Sequence, residues 1–290
     1  MIRLTRSAQL LDRDAGRWYT GFSDRSTRVY VVRSRGLRVD AAMPGSLGPL
    51  APRAAQLNIQ LAGTLLARRS PREHAIAARS IAIEPSVHWN ERWIGPLFRV
   101  LVIEWESGCG PMPTGFSLAN LSERDHERVS AIADTIERDE DTPRVAEAIE
   151  RLDALLRSIG LRIDGLDALA RSTESDRDIA TARMLSKLRT SLHAKPAWID
   201  AVSTTQRSER QLRRDVDALT ARLNFDIGGL RSILFRERVI SATQLLTARA
   251  TSVAAVARSV GFGTSRALGL ALDRAGFPSA STLAALARDD

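Results

Sequence analysis

The chain has 290 residues, a formal net charge of +8 and a hydrophobic fraction of 44%, which suffices for two domain cores of ordinary size. A single cysteine, Cys109, excludes an internal disulfide and a cysteine-rich metal site. The sequence has no apolar run of about 18 residues and no signal-peptide-like N-terminus, so it predicts a soluble, cytoplasmic protein with no membrane contact.

Residues 27–106 are predicted to form β-strands. The segments 28–32, 57–66 and 97–105 are short apolar or alternating runs, and glycine- and proline-bearing breaks separate them. This pattern predicts a β-sandwich or a β-barrel.

Two helices are predicted after the strands, over residues 122–138 and 143–159. The first begins with a capping pattern formed by Ser122 and Asp125. The second has apolar residues at near-heptad spacing, which leaves two interpretations open: the stripe pairs two subunits, or it packs on the chain's own strands. The apolar stripe of this second helix consists of Val145, Ile149, Leu152, Leu156 and Ile159.

Residues 164–180 are polar enough to be a linker.

Residues 196–219 predict a first helix-turn-helix. A short apolar helix with Trp198, Ile199 and Val202 precedes Ser208, a helix-capping residue type, and Glu209 follows in the first turn. The helix that begins there has an inward face and a basic outward face, whose guanidinium groups suit phosphate oxygens and guanine edges. A solvated charged helix face is the alternative. The inward residues are Leu212, Val216 and Leu219, and the basic residues are Arg207, Arg210, Arg213 and Arg214.

Residues 253–277 predict a second helix-turn-helix, and residues 229–247 a long helix between the two motifs. Gly261 can take the positive φ that ends the first short helix of the pair. A helical hairpin without a role in DNA binding would share much of this pattern. The apolar positions are Val253, Val256, Ala257, Val260, Phe262, Leu268 and Leu272.

The two motifs and the long helix resemble the AraC-type transcription regulators over about the last 100 residues. The resemblance lies in residues 208–214, in Arg238 with Ala242, Leu245 and Leu246, and in residues 251–262. It implies that two recognition helices enter successive major-groove turns on one face of the DNA. It places the family's base-contacting positions on Arg210, Arg213 and Arg214 in the first recognition helix, and on Ser265, Arg266, Gly269 and Leu270 in the second. The full DNA-binding set expected here is Arg207, Ser208, Arg210, Gln211, Arg213, Arg214, Thr264, Ser265 and Arg266.

The chain departs from the family in four places. Gly269 and Leu270 offer no hydrogen-bond donor, so the second helix should read bases poorly. The stretch between the motifs is longer than is usual for the family, and Gln206 stands where the family has glycine before Ser208. The family often has an aromatic residue late in the second recognition helix, where this chain has Leu272.

The strand region resembles the cupin-like jelly roll that often serves as this family's sensor domain. A metal-binding cupin needs clustered histidine and carboxylate ligands, and the four histidines, His74, His88, His126 and His193, show no such cluster. We therefore expect no metal and no cofactor, a structural role for His88, and an ordinary loop thiol at Cys109.

Charge points to a polyanionic partner. Residues 181–290 hold 17 Lys+Arg against 9 Asp+Glu, whereas residues 1–180 hold 25 of each. The whole surplus therefore lies in the part that carries both helix-turn-helix patterns, where it would attract nucleic acid.

The sequence contains no catalytic constellation, so we expect no enzyme. It predicts an α+β fold: an N-terminal β-rich, cupin-like jelly-roll domain with trailing helices over residues 1–163, a linker over 164–180, and an all-α domain of two helix-turn-helix motifs over 181–290. The expected function is DNA-binding transcription regulation modulated by a small effector or a partner, with double-stranded DNA as the main partner. RNA polymerase contact and homodimerisation stay open. The alternatives are a protein-interaction or co-regulator module with little sequence-specific DNA binding and, more remotely, a metal-free β-barrel enzyme.

Overall fold

The computed structural model of the chain describes residues 2–7, 18–34, 41–42, 55–69, 72–85, 90–138, 142–173, 175–190, 207–223, 229–248, 252–275 and 277–286. The strands are β1 (Ile2–Ser7), β2 (Trp18–Ser23), β3 (Thr27–Ser34), β4 (Ala41–Ala42), β5 (Ala55–Arg69), β6 (Arg72–Ala77), β7 (Ser80–Pro85), β8 (Asn90–Trp105) and β9 (Ser117–Asn120). The helices are α1 (Glu123–Arg138), α2 (Thr142–Ser158), α3 (Asp164–Arg171), α4 (Asp176–Thr190), α5 (Glu209–Arg222), α6 (Gly229–Ala248), α7 (Val253–Ser259), α8 (Ser265–Arg274) and α9 (Ala280–Leu286).

The described strands form one antiparallel sheet. Its order is β1-β2-β3-β8-β5-β7-β9, while β4 pairs with β8 and β6 pairs with β5 outside this path. The pairing of β5 with β8 shifts register between Gln60 and Ala62 and again between Ala62 and Thr64. Such irregularities bend and twist a long antiparallel pair, so the two longest strands are not flat.

One face of the sheet is apolar and is covered by α1 and α3, against which α2 packs. Side chains alternate along a strand, and Val29 and Val31 on β3 share this face with Leu101 and Ile103 on β8. They belong to one buried cluster with residues of the three helices. Among these are Val129, Ile132, Ile136, Val145, Ile149, Leu152, Leu156, Leu166 and Leu169.

The other face of the sheet joins a second apolar cluster with the C-terminal helices. Tyr30, Val32, Val100 and Val102 belong to the same cluster as the buried residues of α4 to α9. This face also carries fully or nearly fully buried polar side chains, which is unusual for a sheet interior. The buried polar residues on it are Arg28, Asn58, Gln60, Ser80, Glu84 and Glu104.

The structure confirms the predicted α+β class, with an antiparallel sheet followed by helices. It also confirms strands over the three predicted segments and helices at 123–138, 142–158 and 229–248. Strands β1 and β2 were not predicted. Their segments, IRLTRS and WYTGFS, mix polar and apolar residues too evenly to stand out.

The apolar stripe of α2 packs within its own chain, against α1 and α3. Val145, Ile149, Leu152 and Leu156 are fully buried within one chain, whereas Ile159, just past the helix, is 37% exposed. The stripe is therefore buried within one chain, but between α2 and its neighbouring helices rather than directly on the strands. The polar segment 164–180 contains α3 and the first turn of α4, and α3 buries Leu166 and Leu169 against the apolar cluster.

Candidate nucleic-acid interface

Helix α5 begins at the residue that the sequence predicts. Ser208 caps it: the Ser208 hydroxyl accepts a hydrogen bond from the Gln211 backbone N–H at 3.3 Å, and the Gln211 Oε1 accepts one from the Ser208 backbone N–H at 3.0 Å. This reciprocal capping box satisfies two of the N–H groups that a helix start leaves unpaired. The N-terminus of α5 is therefore well defined.

The two faces of α5 separate as predicted. Leu212, Val216 and Leu219 are fully buried. Arg210, Arg213 and Arg214 are exposed, and Arg213 forms an i,i+4 ion pair with Glu209 at 2.5 Å. The exposed guanidinium groups lie on the outward side of the helix, where they are available to a polyanion.

An acidic residue on the inward side of α5 holds two arginines. Asp215 is only 6% exposed. Its Oδ1 accepts from Arg177 Nε of α4 at 2.6 Å, and its Oδ2 accepts from Arg207, which precedes α5. A second ion pair, between Arg222 and Asp178 at 2.8 Å, joins the other end of α5 to α4. The first turn of α4 is thus joined to the middle and to the C-terminal end of α5.

Helix α6 lies between α5 and α7 in the chain and has one buried face. Ala242, Leu245 and Leu246, which carry part of the family resemblance, are buried in the second cluster. Phe235 of α6 meets Phe262 edge to face at 6.4 Å between ring centroids, and the Arg274 guanidinium lies 5.5 Å from the Phe235 ring. These contacts hold the turn and the end of α8 against the connecting helix.

Helices α7 and α8 form the second predicted motif. Ser252 caps α7 and Thr264 caps α8, each hydroxyl accepting from the N–H three residues ahead at 3.2 and 3.1 Å. Gly261 has a φ of +84°, as predicted. The next N–H, that of Phe262, bonds back to the carbonyl oxygen of Ala257 at 2.8 Å, which ends α7.

The outward face of α8 has few donors. Thr264, Ser265 and Arg266 are exposed. Nothing lies within 4 Å of the position that a Cβ on Gly269 would occupy, and Leu270 is 63% exposed. The start of α8 therefore presents the guanidinium of Arg266, two hydroxyls and, one turn on, the apolar side chain of Leu270, while exposed Arg274 at its end lies over the Phe235 ring.

Several sequence predictions fall outside this interface. The first helix of the first motif, with Trp198, Ile199 and Val202, lies outside the described residues, as do His88 and His193. The His126 Nε2 is 3.1 Å from the carbonyl oxygen of Leu61. Cys109 is half-buried and packs against the apolar cluster under α1 to α3. Within the described part of the chain, no group of three metal-ligating side chains occurs and no helix is long and apolar enough to cross a membrane.

Sequence reasoning missed Arg177 and Asp215 as parts of this region. Asp215 lies between Leu212 and Val216 on the inward face of α5, and an acidic residue on an apolar helix face requires a buried partner. That signal was visible in the sequence. Arg177, 38 positions away, carries no mark of being that partner.

No family model matches the chain, and no curated protein is similar to it in sequence. Among solved structures, it is similar to ToxT from Vibrio cholerae, at 10% identity over 89% of this chain and 98% of ToxT, with a TM-score of 0.38. A fatty-acid-bound ToxT, from strain SCE256, has 10% identity over 91% of this chain and 97% of ToxT, with a TM-score of 0.37. The putative glyoxylate-induced protein of Pseudomonas aeruginosa has 16% identity over 39% and 44% of the two chains, with a TM-score of 0.29.

ToxT is an AraC-family regulator with a cupin-like N-terminal domain. The TM-scores lie below 0.5 and the identities below 25%. At these values the likeness carries no function, ligand or partner over to this chain.

Proposed function

We propose that this chain is a DNA-binding transcription regulator of the AraC type and has no catalytic activity. The observation that carries the proposal is the pair of capped helices α5 and α8, each with a buried apolar face and an exposed face that bears arginine. The 20-residue helix α6 stands between them. In the expected mode of binding, the two helices read successive turns of the major groove.

Charge supports this assignment. The basic surplus of the chain lies entirely in residues 181–290, and Arg210, Arg214 and Arg266 are exposed there. A positive face of this kind attracts DNA through counterion release, whatever the base sequence. Sequence preference then depends on which guanidinium groups reach base edges.

The proposal assigns residues 1–163 to a sensor domain for a small effector or a partner, residues 164–180 to a linker, and residues 181–290 to DNA binding. The buried guanidinium of Arg28 on β3 donates to the carbonyl oxygen of Leu223, the residue that ends α5, at 3.3 Å. A change at the sheet could therefore reach the first recognition helix directly. Homodimerisation and contact with RNA polymerase remain further parts of the proposal.

The full-length chain should enrich a defined sequence from random duplex DNA. A double variant, Arg210→Ala with Arg214→Ala, should then lose affinity for the selected site. The matched control removes two exposed arginines from α2 and α3, Arg151→Ala with Arg171→Ala, and should keep it. Equal losses in both double variants would show that only overall charge matters and would reject the proposal.

One observation favours the alternative of an interaction module. Leu270 exposes 63% of its surface beside Gly269 on the outward face of α8, where a reader of bases would carry donors. An exposed apolar side chain of this kind suits a protein contact. A selection that enriches no DNA sequence, with equal affinity for all duplexes, would favour this second function.

A further inference from the structure

A cleft of about 330 Å³ opens between α4 and the first two turns of α5. Its size is at the lower end of the range for small-ligand sites in proteins. Three of its five lining residues are arginines, one from α4, one from α5 and one from the segment that leads into α5. The lining residues are Arg177, Arg207, Gln211, Arg214 and Asp215.

Asp215 holds two of these arginines in place. One carboxylate oxygen accepts from Arg177 and the other from Arg207, so each guanidinium has a fixed orientation beside the cleft. Each guanidinium has five N–H donors, and the bonds to Asp215 use only some of them. The remaining donors of both groups are pre-organised for a second acceptor.

The third arginine gives the cleft its charge excess. Arg214 is exposed, and no carboxylate within the described part of the chain forms an ion pair with it. Three guanidinium groups against one carboxylate leave a formal excess of two positive charges around the opening. Guanidinium groups match the oxygens of phosphate in geometry as well as in charge.

We propose that this cleft binds a phosphate-type dianion through the guanidinium groups of Arg177, Arg207 and Arg214. This goes beyond the proposed function, because the site does not depend on base reading. The anion could be a free phosphate or phosphate ester, or a phosphate of the DNA backbone, since the chemistry of recognition is the same. A bound anion would bridge α4 to the start of the first recognition helix.

The test uses the full chain with inorganic phosphate as the probe, at ionic strength held constant with chloride. Wild type should show a saturable rise in melting temperature. Arg214→Gln should weaken the apparent affinity for phosphate about tenfold, as expected for one lost charge-assisted contact. The matched control, Arg183→Gln, removes an exposed arginine of α4 that does not line the cleft and should behave as wild type. No saturable effect, or equal weakening in both variants, would overturn the site.

A second arm distinguishes the two sources of the anion. If saturating phosphate displaces duplex DNA more than matched chloride does, the cleft holds a backbone phosphate, and Arg214→Gln should lower the salt slope of DNA binding by about one. If phosphate and DNA bind together, the ligand is a free anion. Either result supports the site. The phosphate arm gives its answer even if the chain binds no DNA, so failure of the site and failure of the proposed function can be told apart.

Discussion

Arg28 and Glu104 form a buried ion pair on the sheet face that packs against the C-terminal helices. The two residues lie opposite each other on β3 and β8, with 1% and 4% of their surfaces exposed. The Arg28 Nη1 is 3.7 Å from Glu104 Oε2, and the Tyr30 hydroxyl donates to Glu104 Oε1 at 2.7 Å. Burial raises the pKa of Glu104 above its ordinary value of 4.5, although the Arg28 charge and the Tyr30 hydrogen bond oppose it.

This shift predicts how stability depends on pH. A carboxyl group whose pKa is raised by folding binds its proton more tightly in the folded state, so its contribution to stability falls as pH rises above its unfolded value. The free energy of unfolding of wild type, relative to Glu104→Gln, should therefore decrease above about pH 4.5 and level off past the folded pKa. Urea unfolding of both proteins across this range measures the difference. Glu147→Gln, an exposed control on α2, should show no such trend. A difference that grows with pH would mean that pairing with Arg28 outweighs burial.

A second prediction at the residue scale concerns the inequality of the two recognition helices. Arg213→Ala or Arg214→Ala should cost about 1–3 kcal/mol and relax preference at one or two base pairs where the contact is to a base. Where the contact is to phosphate, all sequences should weaken equally. Arg266→Ala should lose mainly uniform affinity, because α8 offers almost no other donors to fix a base contact. Binding to a selected site and to its single-base variants measures each effect. Loss of base preference in one half of the site for Arg266→Ala alone would reverse the assignment.

At the scale of elements, caps and turns define α5 and α8, the two proposed recognition helices. The reciprocal hydrogen bonds of Ser208 and Gln211 start α5, while Thr264 starts α8. Gly261 supplies the left-handed conformation that ends α7. These are local signals, and each was readable from the sequence.

Two glycines of the second motif should respond oppositely to alanine. Gly261→Ala should destabilise the protein by about 1–2 kcal/mol, because a Cβ is strained at positive φ. Gly269→Ala should stabilise it by about 1 kcal/mol, because Gly269 lies inside α8 with open space where the methyl group would go. Chemical unfolding of the two variants, each the control for the other, measures both signs. A stabilising Gly261→Ala would contradict the assigned turn.

At the scale of the whole molecule, the sheet and the C-terminal helices share one apolar cluster. Tyr30 and Val102 of the sheet belong to it together with residues of α4 to α9. Arg28 adds a hydrogen bond from the sheet to the end of α5. The sheet region and the candidate DNA-binding helices are therefore packed together rather than merely tethered.

The charge distribution leads to a prediction for the full chain. If the exposed arginines of α5 and α8 neutralise about four phosphates, the logarithm of the DNA association constant should fall against the logarithm of salt concentration with a slope near −4, at about −0.9 per phosphate. Fluorescence anisotropy with a labelled duplex over a range of salt concentrations measures the slope. The slope should be the same for selected and unrelated duplexes if it reflects backbone contacts alone. A slope near zero would exclude a phosphate-dominated interface.

The sequence by itself determined the features that depend on neighbouring residues. The class of fold, the central strands, helices α1, α2 and α5 to α8, the caps at Ser122 and Ser208, the glycine turn of the second motif and the basic surplus of the last 110 residues all follow from local spacing and composition. Strands β1 and β2 did not follow, because strands of mixed polar and apolar residues gain their stability from pairing with neighbouring strands rather than from their own pattern.

Only the tertiary structure decided which distant residues meet. It paired Arg28 with Glu104, placed Arg177 beside Asp215, and packed the α2 stripe against α1 and α3. The physical reason is that burial of a charge, and the partner that makes burial tolerable, are set by the packing of elements far apart in the chain. Periodicity shows which face of a helix is inward, but not what that face will meet.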